Sequence, residues 1–449
     1  MTISLPSAAT SDEALRAHCE MHLPGDPGYD AARTAWNLAV DPRPAAVAVP
    51  RSEQEVAAVV AAAASAGRRV LAMATGHGLT AYAGRDLSDT VLVRLSELRD
   101  VTVHPSMGVA RAQGGAQWTD VITKAAPHGF TAPHGSAPDV GVAGYLLGGG
   151  LSFYGRRHGV AANAVRAVTV ALASGVLLRC SRTDHPELFW AVRGGGAPGI
   201  VVAVEIGLLA YAEIYAGMLL WDRRHADEVL GAWLAWTRRA PESVTTSLRV
   251  MSFPPLPELP PFLSGREVVV IDGAVLAGAD EGSEVLAALR ALRPEIDTFA
   301  TMAPSGLLGV HMDPPVPTPC ASAHAVLGPL GPSAAQTFLS AFRPGLMFAE
   351  LRQLGGAFAR SEDDGGIVSS IRGDYALYAC AVTPGDEAFA AGLALTQSVA
   401  DAMAPWAVPG LAPTFTDRPV TPEDLYGADD AADLATIRRR YDPTGVFGF

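Results

Sequence analysis

The residue best suited to chemistry is His77, which stands between two glycines in the sequence Ala74-Thr75-Gly76-His77-Gly78-Leu79. Apolar residues 70–73 predict a short strand that runs directly into this loop. Because glycine removes side-chain bulk and permits positive φ, we expect Gly76 and Gly78 to let the backbone approach a ligand closely. Such a loop can cradle a phosphate or present one side chain to a cofactor. The motif alone is also compatible with an ordinary loop histidine.

A second concentration of glycine covers residues 135–151 and is mixed with large apolar residues such as Tyr145 and Leu146. Each glycine costs a helix interior roughly 1 kcal/mol, so the composition predicts a buried loop and not a helix. Consecutive free N–H groups in such a loop bind a pyrophosphate well. The alternative is a tight glycine-packed turn between core elements. The stretch matches neither a P-loop nor the Rossmann fingerprint.

The elements that must position these loops follow from periodicity and turn signals. Residues 44–95 predict β-α-β-loop-β, with a capping box from Ser52 to Glu55 at the start of the helix. Residues 101–130 predict two strands and a helix that begins near Gln117, and residues 165–180 predict a hairpin. A short helix is predicted over residues 185–192 and another over Ser11–Cys19. A third glycine loop, residues 193–199, leads into a strand that starts at Ile200.

The pattern changes after Tyr211, where strands alternate with amphipathic helices and the glycine clusters thin out. We therefore expect a separate lobe over residues 213–405, built on an antiparallel sheet. The tail, residues 406–449, is rich in loops until a helix at Asp429–Tyr441. The predicted fold class is α+β.

Composition limits the possible functions. The chain has 449 residues, of which 49% are hydrophobic and 18% charged, so it can bury a large core. A net charge of −13 argues against nucleic acid or an anionic membrane as the main partner. The four cysteines form no C-x-x-C pair, so neither a zinc site nor a disulfide framework is expected. Without a signal peptide or a bilayer-length apolar run, we expect a cytoplasmic protein, and the alanine- and arginine-rich composition suggests a bacterial source.

Four motifs in order resemble the berberine bridge enzyme-like, FAD-linked oxidases of the vanillyl-alcohol oxidase (PCMH-type) flavoprotein superfamily. They are the Gly76-His77 loop, the glycine stretch 140–150, the segment Glu187-Leu188-Phe189-Trp190-Ala191-Val192-Arg193-Gly194-Gly195-Gly196, and the closing Arg440-Tyr441-Asp442-Pro443 with Val446-Phe447. The resemblance covers nearly the whole chain. It implies a bilobal fold with an FAD-binding domain of two α+β subdomains (1–212), an inserted substrate domain (213–405) and a return to the FAD domain (406–449).

The resemblance also implies roles for individual residues. His77 matches the histidine that the family bonds covalently to the 8α-methyl group of the flavin, and a neutral imidazole is a competent nucleophile. Val142 matches a position that influences oxygen access. The expected FAD-binding residues are Ala74, Thr75, Gly76, His77, Gly78, Leu79, Gly135, Ser136, Asp139, Gly141, Val142, Gly144, Tyr145, Gly148, Gly149, Gly150, Gly159, Ala162, Asn163, Gly199, Val201 and Phe415.

Three departures from the family pattern matter. Many members attach the flavin a second time through a cysteine, where this chain has Ala137, so the resemblance implies a single link through His77. The third glycine loop is one residue shorter than is common. Where the family often has Tyr-x-Asn, this chain has Phe415-Thr416-Asp417, so a tyrosine that serves some relatives as a base is missing.

The candidate base therefore comes from the strand Tyr375–Ala381, which the resemblance places over the flavin. Alternation along a strand puts Tyr378 and Cys380 on one face, with Cys380 where some relatives have a carboxylate. Tyr378 is the candidate, provided that its pKa is lowered or that it has a basic neighbour; alternatively, it only shapes the pocket. Weaker candidates are Arg372, Asp374 and Tyr426. His311 lies in a proline-rich loop and is expected on the surface.

The resemblance implies an FAD-dependent oxidase of a small molecule, such as a natural product of secondary metabolism, a sugar, an alcohol or an amine. Hydride transfer to flavin N5 is then followed by reoxidation by O2, which yields H2O2. Two alternatives stay open. One is a dehydrogenase with another electron acceptor, and the other is a non-redox cyclase that keeps the flavin as a scaffold.

Overall fold

The computed structural model describes residues 15–448, which form three β-sheets. The first sheet has the order β1-β2-β4-β3, in which the last three strands are parallel and β1 is antiparallel. Its elements are β1 (Glu20–His22), α1 (Tyr29–Arg33), β2 (Ala46–Val49), α2 (Glu53–Ser65), β3 (Arg69–Met73) and β4 (Thr90–Arg94). The predicted β-α-β-loop-β unit is confirmed. The predicted helix at Ser11–Cys19 lies partly outside the described residues.

The start of α2 differs in detail from the predicted capping box. The Ser52 hydroxyl accepts a hydrogen bond from the Glu55 backbone N–H at 3.1 Å, as expected of an N-cap. The Glu55 carboxylate, however, accepts from the backbone N–H of Arg51 at 2.8 Å and not from that of Ser52. The helix therefore starts where predicted. Of the two hydrogen bonds of the capping box, the one accepted by the Glu55 carboxylate comes from the residue before the N-cap and not from the N-cap itself.

The second sheet is antiparallel, with the order β5-β6-β9-β7-β8. Its elements are β5 (Val101–His104), β6 (Val109–Gln113), α3 (Trp118–Ala125), α4 (Val142–Leu147), α5 (Gly155–His158), β7 (Val165–Ala171), β8 (Leu177–Ser181), α6 (Pro186–Val192) and β9 (Ile200–Gly207). The expectation that residues 135–151 form only a loop is wrong, because α4 occupies their centre. Burial of Val142, Tyr145 and Leu146 against the second sheet compensates for the low helix propensity of Gly144.

The third sheet has eight antiparallel strands in the order β13-β10-β12-β11-β16-β17-β15, with β14 paired to β10. Its strands are β10 (Ile214–Asp222), β11 (Val244–Ser252), β12 (Glu267–Val275), β13 (Ile296–Asp297), β14 (Ala300–Met302), β15 (Cys320–Leu327), β16 (Phe348–Gln353) and β17 (Tyr375–Val382). Its helices are α7 (Ala226–Thr237), α8 (Ala279–Arg290), α9 (Pro332–Ala341) and α10 (Asp386–Met403). The antiparallel sheet is confirmed, although β15 was not predicted.

The two faces of the third sheet differ in chemistry. One face packs on the helices through a large apolar core that includes Trp233, Leu248, Ile271 and Leu377. The registers of the paired strands put a set of polar and thiol side chains together on the opposite face, which we call the polar face. Its members are Ser247, Arg249, Asp272, Ser322, His324, Glu350, Arg352, Tyr378 and Cys380.

The tail contacts all three sheets. Residues 422–426 and 428–441 form the helices α11 (Pro422–Tyr426) and α12 (Ala428–Tyr441). The Ala412 N–H donates to His324 of the third sheet at 3.0 Å, and the Tyr441 hydroxyl donates to Glu187 of α6 at 2.6 Å. The Val70 N–H of β3 donates to the Val446 carbonyl at 2.9 Å. The α+β fold class is confirmed, while the domain limits at 212 and 405 stay a prediction.

Within residues 15–448, none of the helices combines the length and the apolar composition that crossing a bilayer requires.

Candidate functional site

His77 lies at the centre of a small group of residues that we call the histidine cluster: Trp36, Thr75, His77 and Asp139. The indole of Trp36 stacks on the imidazole with 4.2 Å between ring centroids and 18° between planes. Imidazole Nδ1 is 2.8 Å from the Thr75 hydroxyl, and Nε2 is 3.6 Å from Asp139 Oδ1. The Trp36 Nε1–H donates to Asp139 Oδ2 at 2.6 Å, which closes the group. The imidazole is therefore held from three sides.

The two glycines beside His77 have different roles. Gly76 has φ 87°, and a Cβ there would lie 2.7 Å from the Ala35 Cβ, so the turn requires glycine. The same turn lets Trp36 N–H donate to the Thr75 carbonyl at 2.9 Å. Gly78, in contrast, has φ −91°, and a Cβ there would meet nothing within 4 Å. Gly78 therefore does not use the positive φ that glycine permits, and it leaves open space beside the histidine.

The second glycine stretch lies against the first loop. A Cβ on Gly141 would be 3.3 Å from the Ala74 Cβ, and Val142 at the start of α4 is fully buried. Gly144 faces open space, since a Cβ there would meet nothing within 4 Å. The histidine loop and the N-terminal end of α4 thus form one continuous surface.

Several glycines of the second stretch pack against protein and not against open space. The buried ring of Tyr145 fills the volume beside Gly135 and Gly150, whose hypothetical Cβ atoms would lie 3.0 and 2.4 Å from it. Gly148 abuts Thr414, and Gly149 abuts Val368. At these positions the backbone forms a tight, glycine-packed turn. This was the alternative to a cofactor-binding loop in the interpretation of the sequence. Ser136, half-buried, lies in the turn after Gly135.

The remaining predicted cofactor residues fall into two places. Gly159, Ala162 and Asn163 lie after α5, where the Asn163 side chain donates to the Ser369 carbonyl at 3.0 Å. Gly199 packs against Val170 and Ala171 in the second sheet, and Val201 is buried in β9. Leu79 is buried with the apolar residues under the first sheet.

Tyr378 on the polar face is hydrogen-bonded to a carboxylate from the tail. Its hydroxyl donates to Asp417 Oδ2 at 2.9 Å, and the Ser322 hydroxyl donates to the same oxygen at 2.5 Å. Burial raises the pKa of Asp417, and the hydrogen bonds from Ser322 and Tyr378 and the nearby His77 only partly oppose this shift. Burial and the Asp417 charge raise the pKa of Tyr378 well above its ordinary value. The pKa of Tyr378 is therefore raised and not lowered, and its neighbour is a carboxylate that accepts its hydrogen bond; its role as a base stays a prediction.

Asn37 connects the histidine cluster to the polar face. It follows Trp36, and its amide exchanges hydrogen bonds with the backbone of Cys320, at 2.9 and 3.0 Å. Its side-chain nitrogen also lies 3.3 Å from the Cys320 thiol. A hydrogen bond with Cys320, together with burial, raises the pKa of the Cys380 thiol, which favours the protonated thiol and makes Cys380 unsuited to act as a base.

The other aromatic candidates are placed differently. The ring of Phe415 packs against that of Tyr378, tilted by 31° and with 4.9 Å between centroids, so Phe415 lies in the same site. The Tyr426 hydroxyl donates to the Gly194 carbonyl at 3.0 Å, which puts this residue at the third glycine loop. His324 has both ring nitrogens engaged, by the Leu377 carbonyl and the Ala412 N–H, and burial lowers its pKa to about 4. His324 is therefore neutral and structural.

The polar face also holds a buried cluster of charges that the sequence did not reveal. Arg249 pairs with Asp272 at 2.5 Å, and Arg352 pairs with Glu350 at 2.7 Å. His311 lies between the pairs, 3.0 Å from Asp272 and 3.6 Å from Glu350. The expectation that His311 is on the surface is wrong, since it is 2% exposed. Its position in a proline-rich loop concealed that the loop folds under the sheet.

Arg352 joins this charge cluster to the rest of the site. Its guanidinium lies over the rings of Phe153 and Phe415, at 5.0 and 5.1 Å from their centroids. Phe153 follows the second glycine stretch, and Phe415 packs on Tyr378. The polar face, the tail and the glycine stretch thus converge on one site.

Comparisons with known proteins agree with this arrangement. Residues 44–181 match the family described as the FAD binding domain. The glucooligosaccharide oxidase of Sarocladium strictum is 33% identical over 240 residues, which are 52% of this chain and 48% of that protein. The (R)-6-hydroxynicotine oxidase of Paenarthrobacter nicotinovorans is 32% identical over 204 residues, 45% of this chain and 44% of that protein. The chain thus spans about half the length of the curated relatives it matches.

Two solved structures extend the likeness to the whole fold. BBE-like 1 of Physcomitrella patens has a TM-score of 0.83 and 19% identity, covering 98% of each chain. The glucooligosaccharide oxidase of Acremonium strictum, whose structure is described by its 6-S-cysteinyl, 8α-N1-histidyl FAD, has a TM-score of 0.80 and 24% identity, covering 98% of each chain. The chain therefore contains an FAD binding domain and has the fold of the berberine bridge enzyme-like flavoproteins. The resemblance carried by the four sequence motifs is confirmed.

The residues present fit an FAD molecule. His77 Nε2, Asp139 Oδ1 and Asn163 Oδ1 are buried and have no hydrogen-bond partner among the described residues. Gly78 in the histidine loop and Gly144 in α4 both face open space, since a Cβ at either would meet nothing within 4 Å. A bound ligand with polar atoms would satisfy Asn163 Oδ1, which is otherwise costly to bury, whereas His77 Nε2 and Asp139 Oδ1 face each other at 3.6 Å.

Proposed function

We propose that this protein is an FAD-dependent oxidase of a small organic substrate, with FAD bound covalently through His77 alone. The FAD binding domain and the oxidases among the relatives support the oxidoreductase class. The observation that carries the proposal is the Tyr378–Asp417 hydrogen bond, because it gives the polar face a proton acceptor beside the histidine cluster. The proposed substrate is a sugar, an alcohol, an amine or a natural product. These are the classes that combine an oxidisable C–H bond with an ionisable O–H or N–H.

The single tether rests on two positions. His77 occupies the glycine-flanked loop, and Ala137 stands where a cysteinyl link would require a thiol. The described cysteines nearest the site, Cys320 and Cys380, lie on the third sheet and are engaged with Asn37 and with each other. An FAD held by the histidine loop, the N-terminal end of α4 and Asn163 would then be attached at one point.

When bound, FAD supplies the electron acceptor for a hydride from the substrate and passes the electrons to O2, giving H2O2. The chain handles the accompanying proton. Tyr378 accepts the proton of the substrate O–H or N–H as its own phenolic proton moves to Asp417 Oδ2. The raised pKa of Asp417 makes its carboxylate a better acceptor than an exposed aspartate. The Ser322 hydroxyl holds the Asp417 carboxylate in place through a hydrogen bond, and the rings of Phe415 and Phe348 pack against the ring of Tyr378.

The covalent tether is tested by acid precipitation of purified protein, followed by measurement of flavin in the pellet. We expect the wild type to retain its flavin and His77→Ala to release it. A matched control is His104→Ala, which changes an exposed histidine at the end of β5. Flavin retained in the pellet by the His77→Ala protein would overturn the single link.

The oxidase reaction is tested with a panel of sugars, alcohols and amines and a peroxide readout. We expect one class to give peroxide, and Tyr378→Phe to lower the rate by about 10²–10⁴-fold with unchanged flavin content. Substrate reduction of the flavin followed by slow reoxidation in air would favour the dehydrogenase. A product of unchanged mass without peroxide would favour the cyclase.

A further inference from the structure

Asp139 divides its two carboxylate oxygens between two partners in the histidine cluster. Oδ2 accepts the Trp36 indole N–H at 2.6 Å, and Oδ1 faces His77 Nε2 at 3.6 Å. Both Oδ1 and Nε2 are buried, and neither has a hydrogen-bond partner among residues 15–448. Two complementary polar atoms thus face each other within a short side-chain movement.

This arrangement selects one tautomer of the imidazole. Burial raises the pKa of Asp139, but its interactions with His77 and Trp36 outweigh burial and leave the pKa below the ordinary value. An ionised carboxylate can only accept, so the nitrogen facing it carries the proton. The Thr75 hydroxyl, 2.8 Å from Nδ1, can donate. In its neutral form the imidazole therefore carries its proton on Nε2 and its lone pair on Nδ1.

We propose that Asp139 is a positioning residue for covalent attachment of FAD: it orients His77 with Nδ1 as the nucleophile and receives the proton from Nε2. This inference rests on the proposed single tether through His77. Trp36 contributes two contacts: its ring face stacks on the imidazole and fixes its plane, and its N–H hydrogen-bonds to the carboxylate and fixes its position.

The attachment step conserves atoms and electrons. A bond forms between His77 Nδ1 and the 8α carbon, and one C–H bond of that methyl group breaks. The electron pair of the C–H bond reduces the flavin ring by two electrons. The two protons released, one from the methyl group and one from Nε2 by way of Asp139, go to the reduced ring and to solvent. O2, the oxidant of the proposed reaction, then takes the electron pair and forms H2O2.

The test follows flavin incorporation and not turnover. Full-length protein produced under riboflavin limitation is mixed with FAD, and samples are quenched in acid over time. Covalent flavin is measured in the pellet, and total bound flavin is measured on unquenched, desalted protein. We expect Asp139→Asn to lower the initial rate of covalent incorporation at least about 10-fold, with total bound flavin unchanged. Asp139→Glu, which restores a carboxylate, should recover the rate to within about 3-fold.

Two further variants make the outcomes decisive. Trp36→Phe keeps an aromatic face but removes the N–H, so it should give a rate between those of wild type and Asp139→Asn. Asp227→Asn, the same chemical change on an exposed residue of α7, should incorporate flavin at the wild-type rate.

If Asp139→Asn incorporated flavin covalently at the wild-type rate, the inference would be overturned. It would also be overturned if this variant lost total bound flavin in proportion to covalent flavin, because that result indicates a structural role only. In either case, the proposed single link through His77 would still be supported if the His77→Ala protein contained no covalent flavin. Covalent flavin in His77→Ala would overturn both.

Discussion

At the scale of single residues, proton handling in the proposed reaction depends on Asp417. Its Oδ2 accepts hydrogen bonds from both Tyr378 and Ser322, and burial raises its pKa. Tyr378 itself has a raised pKa, so the phenolate is not available as a resident base. In the proposed reaction, Tyr378 can pass its phenolic proton to Asp417 only while the Asp417 carboxylate is ionised.

This dependence predicts the pH profile. Because the pKa of Asp417 is raised, its ionised form is lost as the pH falls through a value above about 3.9, the ordinary value for aspartate. We expect kcat/KM to rise with pH through this acid limb. Asp417→Asn should lower kcat/KM by about 10²–10⁴-fold and remove the limb, measured as peroxide formation from about pH 4 to about pH 8.

The matched control is Asp429→Asn, which alters an exposed aspartate near the start of α12 and should keep the wild-type profile. An unchanged acid limb in the Asp417→Asn protein would show that another group receives the proton.

The sequence predicted Tyr378 as the candidate base, on condition of a lowered pKa or a basic neighbour, but it did not identify any such neighbour. Alternation along β17 places Tyr378 and Cys380 on one face, as the strand registers confirm. Asp417 lies 39 residues further on, in a tail without regular periodicity, and only the tertiary fold brings it to the tyrosine. Trp36 and Asn37 escaped notice for the same reason, because neither belongs to a motif.

At the scale of elements, the polar face of the third sheet is stabilised by paired charges. Arg249 and Asp272 are 1% and 0% exposed and join β11 to β12, where they are further linked to Ser247 and His311. Such pairs are costly to bury, and removing one partner leaves an uncompensated charge.

We expect Asp272→Asn to lower the free energy of unfolding of this lobe by about 3–5 kcal/mol, because Arg249 keeps its charge without a partner. Urea unfolding followed by fluorescence of Trp221 and Trp233, both buried in this lobe, measures the change. The control is Glu242→Gln, which breaks an exposed pair with Arg360 and should cost no more than about 1 kcal/mol. Equal effects of the two substitutions would contradict the role given to the buried pair.

Helices and strands were predictable where the local pattern of side chains determines them. They were less predictable where packing against other elements determines them. The strands β3, β4 and β17 follow from β-branched and apolar residues. β15 has the sequence Cys-Ala-Ser-Ala-His-Ala-Val-Leu, whose small side chains have little strand propensity, and pairing with β17 makes it a strand. α4 is the converse case, a helix that packing imposes on a glycine-rich sequence.

At the scale of the whole molecule, the tail connects lobes that are distant in sequence. Val446 is buried among the apolar residues of the first sheet, and its carbonyl accepts from Val70 in β3. The Asp442 carboxylate accepts from the N–H groups of Val446 and Phe447, both at 2.9 Å, and fixes this turn. The first sheet is thus completed by residues that lie far beyond it in the chain.

We expect Val446→Ala to cost about 2 kcal/mol of stability, since it removes two buried methyl groups. Hydrogen exchange should accelerate at β3 amides, Val70 above all, more than at amides of the third sheet. Val316→Ala, at a valine that is 59% exposed, is the control and should change stability by no more than about 0.5 kcal/mol. Uniform acceleration of exchange throughout the protein would argue against a local closing role for the tail.

The contact between Val446 and β3 has a consequence for biosynthesis. β3 is an edge strand of the first sheet, and it leaves the ribosome long before residues 442–448 are made. During that interval the Val70 N–H and the apolar surface beneath it are uncovered, and an uncovered strand edge is a template for pairing with other chains. In a nascent chain of this protein this edge therefore stays exposed for a time that is set by translation of the intervening residues.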